Sequence, residues 1–400
     1  MALSTKPTKV TRYILILYFL VFPIGQLLRI QSNINGVHVA ILGIDIVIGM
    51  LFVSFLYSFG ISKTTHLMKS VIWVSVIFSS LVFVSQFQSI SEVVGLFYLI
   101  RMIGYIGLFT VVKNEISSGF LIDVLKKWLI FSVVVSALLG LLQYSFYPDL
   151  IALVPYGWDA HLFRLVGTFL DPGFIGIILV LGFILIFTQF TETAKKQYYF
   201  LAVFLVLPLL LTYSRATYLA FVASLCILFL YSTRQAKGIL IGIALIFLAS
   251  IPFLPQPRGV GVDLTRTHSV ITRVSNYEVT YRLWKTSPVF GVGYNNICVA
   301  KKFYGFEETA QNSCSGSDSS ILFTLTTVGI VGIILILYEF FKYNSLFILL
   351  HDRLLITSVA AVGVHSLFLN SAYYPWVISW MVLLFAIHKS VFGVVRKEKS

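Results

Sequence analysis

Basic side chains are concentrated in one polar segment, residues 256–318, within a chain that otherwise consists of apolar runs joined by short loops. The segment carries Arg258, Arg266, Arg273, Arg282, Lys285, Lys301 and Lys302. Guanidinium and ammonium groups held above a membrane surface suit an anionic substrate that is itself anchored in lipid. We therefore expect the chemistry of this protein in this segment.

Two further arginines stand at the ends of apolar runs. Arg215 lies between two runs with almost no loop, which fixes it at the height of a lipid phosphate; an arginine that simply extends to the interface is the alternative. Arg164 lies in an aromatic-rich loop, residues 145–172, which we expect to lie along the membrane–water interface. Asp171 and Pro172 at the end of that loop are typical of a helix start, with Asp171 as N-cap.

A carboxylate ends the polar segment. Asp318 stands just before an apolar run, where either Asp318 or Ser319 is suited to cap a helix N-terminus. Asp318 also lies at the expected membrane edge opposite several arginines, which makes it a candidate base for deprotonating an acceptor hydroxyl. Both interpretations stay open at the level of sequence.

Two charges fall inside apolar runs. Asp45 is about 8 residues into the second run and Arg101 about 9 into the fourth, so the two lie at nearly the same depth. One interpretation is a structural ion pair that joins two helices. The other is that Arg101 lines a cavity for a charged group of the substrate.

Recognisable metal and cofactor motifs are missing from the sequence. The seven histidines show no ligand spacing, and there is no acidic cluster of the kind that Mg²⁺ prefers. Phosphate-binding glycine loops, dinucleotide fingerprints and serine-hydrolase elbows are also missing. We expect no metal and no cofactor, so the energy for a reaction must come from the substrate itself, for example from a diphosphate leaving group.

The polar segment must contain structure of its own, because unstructured loops of this length are uncommon in compact proteins. An amphipathic helix is predicted within residues 274–286. The prediction rests on apolar and aromatic residues that recur at helical spacing: Val274, Tyr277, Tyr281 and Trp284. Cys298 and Cys314 also lie in the segment, where they form a disulfide or remain free thiols.

Composition determines the class of fold. Hydrophobic residues make up 58% of the chain and charged residues 11%, more apolar surface than a soluble chain of this length keeps from water. We predict an all-α polytopic membrane protein with residues 1–400 as a single membrane domain. About twelve spans are expected near residues 13–30, 38–60, 71–87, 92–112, 128–146, 173–190, 198–213, 216–232, 238–254, 320–341, 354–371 and 376–393.

The distribution of basic residues predicts the orientation. An even number of spans puts both termini on one side, and most Lys and Arg of the short loops fall on that side. The other side has Arg29, Arg164 and Arg215 in its short loops and the whole segment 256–318. By the positive-inside rule both termini are cytoplasmic and the segment is extracytoplasmic. The net charge of +13 thus reflects topology and indicates no nucleic-acid partner.

Four motifs occur in order between residues 164 and 332. They are Arg164-Leu-Val-Gly-Thr-Phe169, Ser214-Arg215, the run from Arg273 through an aromatic-rich helix to Pro288-Val-Phe-Gly-Val-Gly293, and Asp318 before an apolar helix that ends in Gly329-Ile-Val-Gly332. This ordered set resembles the O-antigen ligase and O-antigen polymerase superfamily of bacterial envelope glycosyltransferases. The chain departs from family ligases at the fourth motif, where Asp318 replaces a histidine.

The resemblance implies a metal-independent glycosyltransferase of GT-C-like architecture in the bacterial plasma (inner) membrane. Its donor would be an oligosaccharide on undecaprenyl diphosphate, and its acceptor a second glycan. Arg215 and Arg273, with Arg164, would bind the departing diphosphate, Asp318 would act as base, and Arg101 is a possible cavity charge. The active site, with segment 256–318 as part of it, would be extracytoplasmic. The replaced histidine favours a surface-polysaccharide polymerase; a ligase that transfers glycan to lipid or protein is the alternative.

A flippase or transporter for lipid-linked oligosaccharides is the alternative from another class. Transporters usually have two related halves and binding sites near the middle of the bilayer. This sequence has no apparent internal repeat, and its polar features are concentrated outside the membrane in the second half of the chain. Those features favour chemistry at the membrane surface.

Overall fold

The computed structural model describes residues 9–34, 37–59, 90–117, 122–257, 261–306, 316–342 and 350–398. The predicted span near 71–87 lies outside the described residues, as do Arg258 and Cys314. The α-helices of these ranges are α1 (Lys9–Val21), α2 (Gly43–Phe59), α3 (Ile90–Ser117), α4 (Ile122–Phe146), α5 (Pro172–Thr193), α6 (Lys196–Leu211), α7 (Arg215–Tyr231), α8 (Arg234–Ser250), α9 (His268–Thr286), α10 (Ile297–Phe303), α11 (Ser320–Lys342), α12 (Arg353–His365) and α13 (Pro375–Glu398).

The described part of the chain is mostly helical, as predicted, and from Ile90 onward each predicted apolar run corresponds to a helix. Within the described ranges, five stretches are long and apolar enough to cross a membrane: Lys9–Leu27, Ile122–Phe146, Pro172–Thr193, Arg234–Phe253 and Ser320–Tyr338. Shorter apolar helices cover Gly43–Ser54, Lys196–Leu211, Arg215–Tyr231, Arg353–His365 and Pro375–His388. The number of twelve spans stays a prediction.

The N-terminal region differs from the predicted pair of continuous helices. Helix α1 ends at Val21, and a 3₁₀ stretch with Pro23 follows it. Strands β1 (Arg29–Ile34) and β2 (Val37–Leu42) then form an antiparallel hairpin before α2 begins. The predicted helical span near 38–60 was therefore wrong over its first residues, because β-branched residues flank an Asn-Gly pair that is typical of hairpin turns.

Helix α5 forms the centre of the fold. Almost all of its side chains from Pro172 to Gln189 are buried, and α4, α6, α7 and α12 pack around it. A helix that is apolar on every side is expected in such a central position. Near the helix starts, Gly176 of α5 lies so close to Thr217 of α7 that a Cβ would meet the Thr217 side chain at 2.1 Å. The N-termini of α5 and α7 therefore lie side by side.

The segment 256–318 folds over α11. Leu283 of α9, Val292, and Ile297 of α10 form a buried cluster with Phe323 and Val328 of α11. Helix α9 covers the predicted amphipathic helix and begins six residues earlier, at His268. The cluster explains why the amphipathic helix has a fixed position relative to the apolar helices.

A break in α11 receives the glycine-containing turn that follows α9. Gly329 interrupts the helix with φ 64° and ψ −171°. Across the break the main-chain N–H groups of Val292 and Gly293 donate to the carbonyls of Thr326 and Thr327 at 2.8 and 2.9 Å. Ile330 donates in turn to the carbonyl of Pro288 at 3.0 Å. The turn thus satisfies backbone groups that the interrupted helix leaves open, as non-helical backbone at membrane depth requires.

Candidate active site

Arg164 supports the turn that precedes Arg215. Its Nε donates to the Thr212 carbonyl at 3.0 Å and its Nη2 to the Tyr213 carbonyl at 3.2 Å. Burial, together with the neighbouring Arg266, lowers the pKa of Arg164 to about 9, which leaves the guanidinium charged at neutral pH. Because these two nitrogens bind main-chain carbonyls, Arg164 positions the turn before Arg215. Contact between Arg164 and a diphosphate stays a prediction.

Arg215 connects the start of α7 to the polar segment. Ser214 is the N-cap of α7, with its hydroxyl accepting from the Thr217 N–H. From the first position of the helix, Arg215 donates through Nη2 to the Ser269 hydroxyl at 2.7 Å and through Nη1 to the Leu264 carbonyl at 3.3 Å. The guanidinium therefore lies against the first turn of α9.

Arg266 joins the same group of charges. Its Nη1 donates to the carbonyls of Gly261 and Asp263 at 2.8 and 2.7 Å, and its Nη2 lies 3.5 Å from the Tyr213 carbonyl that Arg164 also binds. Burial, and then Arg215 and Arg273, lower the pKa of Arg266. In the sequence, Arg266 is only one of several basic residues of the polar segment, and no motif that would assign it to the site includes it.

Arg273 completes the arginine cluster, defined as Arg164, Arg215, Arg266 and Arg273. It lies four residues after Ser269 on α9, which puts both on one helix face. Its charge contributes to the lowered pKa of Arg164 and of Arg266. The Arg273 guanidinium makes neither a hydrogen bond nor a salt bridge to any residue that the structure describes. It is the member of the cluster whose nitrogens are open to a ligand.

Asp318 lies beside Arg273. Its main-chain N–H donates to Asn276 Oδ1 at 2.9 Å, and Asn276 is three residues after Arg273 on α9. Burial raises the pKa of Asp318, and the charge of Arg273, followed by that of Lys301, opposes the rise. The helix cap belongs to Ser319, whose hydroxyl lies 3.5 Å from the Leu322 N–H. Within the described ranges the Asp318 carboxylate accepts no hydrogen bond, so it is available to a substrate.

Asp159, His161 and Asp171 form an acidic and imidazole group next to the arginines. One ligand atom of each lies within 4.8 Å of the others. Asp171 is the predicted N-cap of α5: its Oδ1 accepts from the N–H groups of Gly173 and Phe174 at 2.7 and 2.9 Å. Asp159 and Asp171 also contribute to the raised pKa of Asp318. We found no ligand spacing in the sequence because the three residues come together only when the loop before α5 folds back.

Arg101 is paired, as one of the two interpretations predicted. Its Nη2 donates to Asp45 Oδ2 at 2.7 Å and to the Ala40 carbonyl at 2.9 Å. Asp45, in the first turn of α2, also accepts from the Leu42 N–H at 3.1 Å. The pair therefore ties α2, α3 and the end of β2 together, while the cavity role of Arg101 remains a prediction.

The cysteines separate into two kinds. Cys298 of α10 is disulfide-bonded, whereas Cys226 of α7 is free. The disulfide alternative is thereby confirmed for Cys298; its predicted partner Cys314 lies outside the described residues.

The fold and the site are those of a multi-pass membrane protein in which several arginines and a carboxylate lie close together at the ends of apolar helices. Residues 200–337, from α6 to α11, match the family model described as O-antigen ligase, which confirms the resemblance to the O-antigen ligase and polymerase superfamily. A search among curated proteins found no match. The matched range includes Arg215, Arg273 and Asp318, and it supports a membrane enzyme of the O-antigen ligase or polymerase type that acts on lipid-linked glycan and an acceptor.

Proposed function

We propose that this protein is a surface-polysaccharide polymerase that uses a glycan on undecaprenyl diphosphate as donor. One observation carries the proposal: Arg266 lies close enough to both Arg215 and Arg273 for their charges to lower its pKa, and Arg273 lies in turn beside the carboxylate of Asp318. Transfer of a glycan from a diphosphate to a hydroxyl requires positive charge near the leaving diphosphate and a base near the hydroxyl.

In the proposed reaction an acceptor hydroxyl attacks the anomeric carbon of the donor glycan. A bond forms between that oxygen and the anomeric carbon, and the bond from the carbon to the diphosphate oxygen breaks. The electron pair stays on the diphosphate, where Arg273 and Arg215 stabilise the added charge. The hydroxyl proton passes to Asp318. In this scheme the charge on the leaving group is balanced by guanidinium groups rather than by a metal ion.

An apolar cleft between α7 and α8 suits the polyprenyl chain of the donor. It has a volume of about 350 Å³ and is lined by apolar side chains that include Val222, Phe229 and Phe247. Val222 follows Arg215 along α7 by a length of roughly 10 Å. A lipid whose diphosphate binds at Arg215 could therefore extend its chain into the cleft.

We also propose that both termini are cytoplasmic and that the site is extracytoplasmic. The distribution of Lys and Arg supports this orientation. The disulfide-bonded state of Cys298 is consistent with it, because such bonds persist in oxidising compartments.

A ligase is the second candidate, because the matching family model is described as O-antigen ligase. The carboxylate of Asp318, which stands where family ligases have histidine, favours the polymerase. Purified protein in sealed liposomes that contain lipid-linked oligosaccharide distinguishes the two. We expect release of undecaprenyl diphosphate together with longer glycans. Transfer only to a second added acceptor would indicate a ligase, and translocation without bond formation would indicate a transporter.

A further inference from the structure

The loop between α4 and α5 closes on itself at one group of side chains. Asp159 and His161 lie in the loop, and Asp171 ends it as the N-cap of α5. Their ligand atoms all lie within 4.8 Å of one another, and Asp171 Oδ2 is 4.0 Å from His161 Nε2. Small side-chain movements would bring the three atoms to the distances at which imidazole and carboxylate bind one cation.

His161 supplies the observation that points to a ligand. Its ring is almost entirely enclosed, with 11% of the side chain exposed, and the buried Nε2 atom has no hydrogen-bond partner in the described part of the chain. A buried polar atom without a partner is costly and requires an explanation. The free nitrogen faces the carboxylate of Asp171, so a positively charged ligand between them would satisfy both groups.

The surroundings orient these ligands. Asp171 Oδ1 is held by the N–H groups of Gly173 and Phe174, which leaves Oδ2 directed at His161. Support of this kind from outside the coordination shell is usual at metal sites. The charges of Arg164 and Arg266 both reach His161. Arg164 is bound to the carbonyls of Thr212 and Tyr213, and Arg266 to those of Gly261 and Asp263. Two carboxylates carry the charge that one dication requires.

We propose that Asp159, His161 and Asp171 bind a divalent cation, Zn²⁺ or Mn²⁺, at the outer end of α5. One imidazole and two carboxylates suit these ions, and three protein ligands leave room for water. The cation ties the loop to α5. Because Arg164 follows His161 by three residues, the bound cation also holds Arg164 against the turn before Arg215. This role is positional and does not depend on the glycosyl-transfer chemistry proposed above.

Binding is tested with the purified full-length chain after treatment with a chelator. Isothermal titration with ZnCl₂ and with MnCl₂, and electron paramagnetic resonance for Mn²⁺, measure affinity and number of sites. We expect one saturable site, and a melting temperature that rises with cation. His161→Gln and Asp159→Asn should each weaken binding at least about 10-fold and remove the rise in melting temperature.

His268→Gln is the matched control, because His268 is an exposed histidine at the start of α9; it should bind like wild type. Asp159 is exposed, so Asp159→Asn keeps the test valid even if His161→Gln fails to fold. The proposal is overturned if wild type shows no saturable binding of either ion, or if both substitutions leave binding unchanged. The measurements report cation binding and melting temperature, so their outcome does not depend on whether the protein has polymerase activity.

Discussion

Gly291 lies directly against Gly329, and neither position has room for a side chain. A Cβ on Gly291 would stand 2.7 Å from the main-chain nitrogen of Gly329, and a Cβ on Gly329 would stand 2.6 Å from that of Gly291. Both residues have positive φ, 72° and 64°. The glycines of the motif therefore join the turn after α9 to the break in α11, and so fix the helix that carries Arg273.

Gly329→Ala should destabilise the protein. An alanine in this left-handed conformation costs about 1–2 kcal/mol, and its Cβ would also press on the Val289 carbonyl at 2.3 Å. Thermal unfolding in detergent measures the loss. Gly238→Ala is the control, since a Cβ on this glycine of α8 meets nothing within 4 Å and alanine favours a helix. Equal melting temperatures for the two variants would contradict the proposed contact.

Much of the architecture could be predicted because the signals are local. Continuous apolar runs identified the helices from Ile90 onward, the sequence Asp-Pro identified the start of α5, and spacing identified α9. The Asn-Gly pair before Val37 is also a local signal, but the adjoining residues are as apolar as a membrane span, and such an apolar run predicts a helix instead.

The rest depends on contacts between residues far apart in the chain. Arg266 enters the arginine cluster through Tyr213, and His161 meets Asp171 only when the intervening loop folds back. No spacing in the sequence encodes such approaches. The family motifs include both Gly291 and Gly329, but only the folded chain shows that the two glycines lie against each other.

Arg273→Ala should reduce turnover by about 10²–10³-fold, the usual cost of removing one group that stabilises transition-state charge. Folding should be little affected, because the Arg273 guanidinium has no hydrogen bond or salt bridge within the described ranges. Release of undecaprenyl diphosphate under saturating donor is the measurement. Arg273→Lys should recover part of the activity, since it keeps the charge but loses the planar pair of donors.

Arg282 provides the control for Arg273. It lies on the same helix, is exposed, and pairs only with Glu278 one turn away among the described residues. Arg282→Ala removes an equal charge from α9 at a distance from the cluster, so it should keep near wild-type turnover. If both variants lost activity equally, activity would depend on the total positive charge of α9 and not on a diphosphate site at Arg273.

Asp318 should produce the acidic limb of the pH profile. A base works only when deprotonated, and burial raises the pKa of Asp318 above that of an ordinary aspartate. Activity should therefore be full above this pKa and fall as the pH falls through it, at a higher pH than an unperturbed aspartate would give. The measurement is kcat/KM against pH for wild type and Asp318→Glu.

Asp318→Asn removes the base and should remove nearly all turnover, together with the acidic limb. The substitution keeps the size of the side chain and the main-chain hydrogen bond to Asn276, so the melting temperature should change little. An Asp318→Asn variant with full activity would exclude Asp318 as the base and direct the search to another group at the site.

The ion pair between Asp45 and Arg101 should be required for stability, since the two side chains are only 14% and 18% exposed. Removing one partner of a buried pair leaves an uncompensated charge and costs about 3–5 kcal/mol. Asp45→Asn and Arg101→Met should each lower the melting temperature strongly, and the double variant should lose less than the sum of the two. The exposed pair of Arg282 and Glu278 is the reference, at about 0–1 kcal/mol.

If the pair is purely structural, turnover per folded molecule should be kept in the double variant. Turnover that stays low in the double variant while stability recovers would instead assign Arg101 to the substrate cavity.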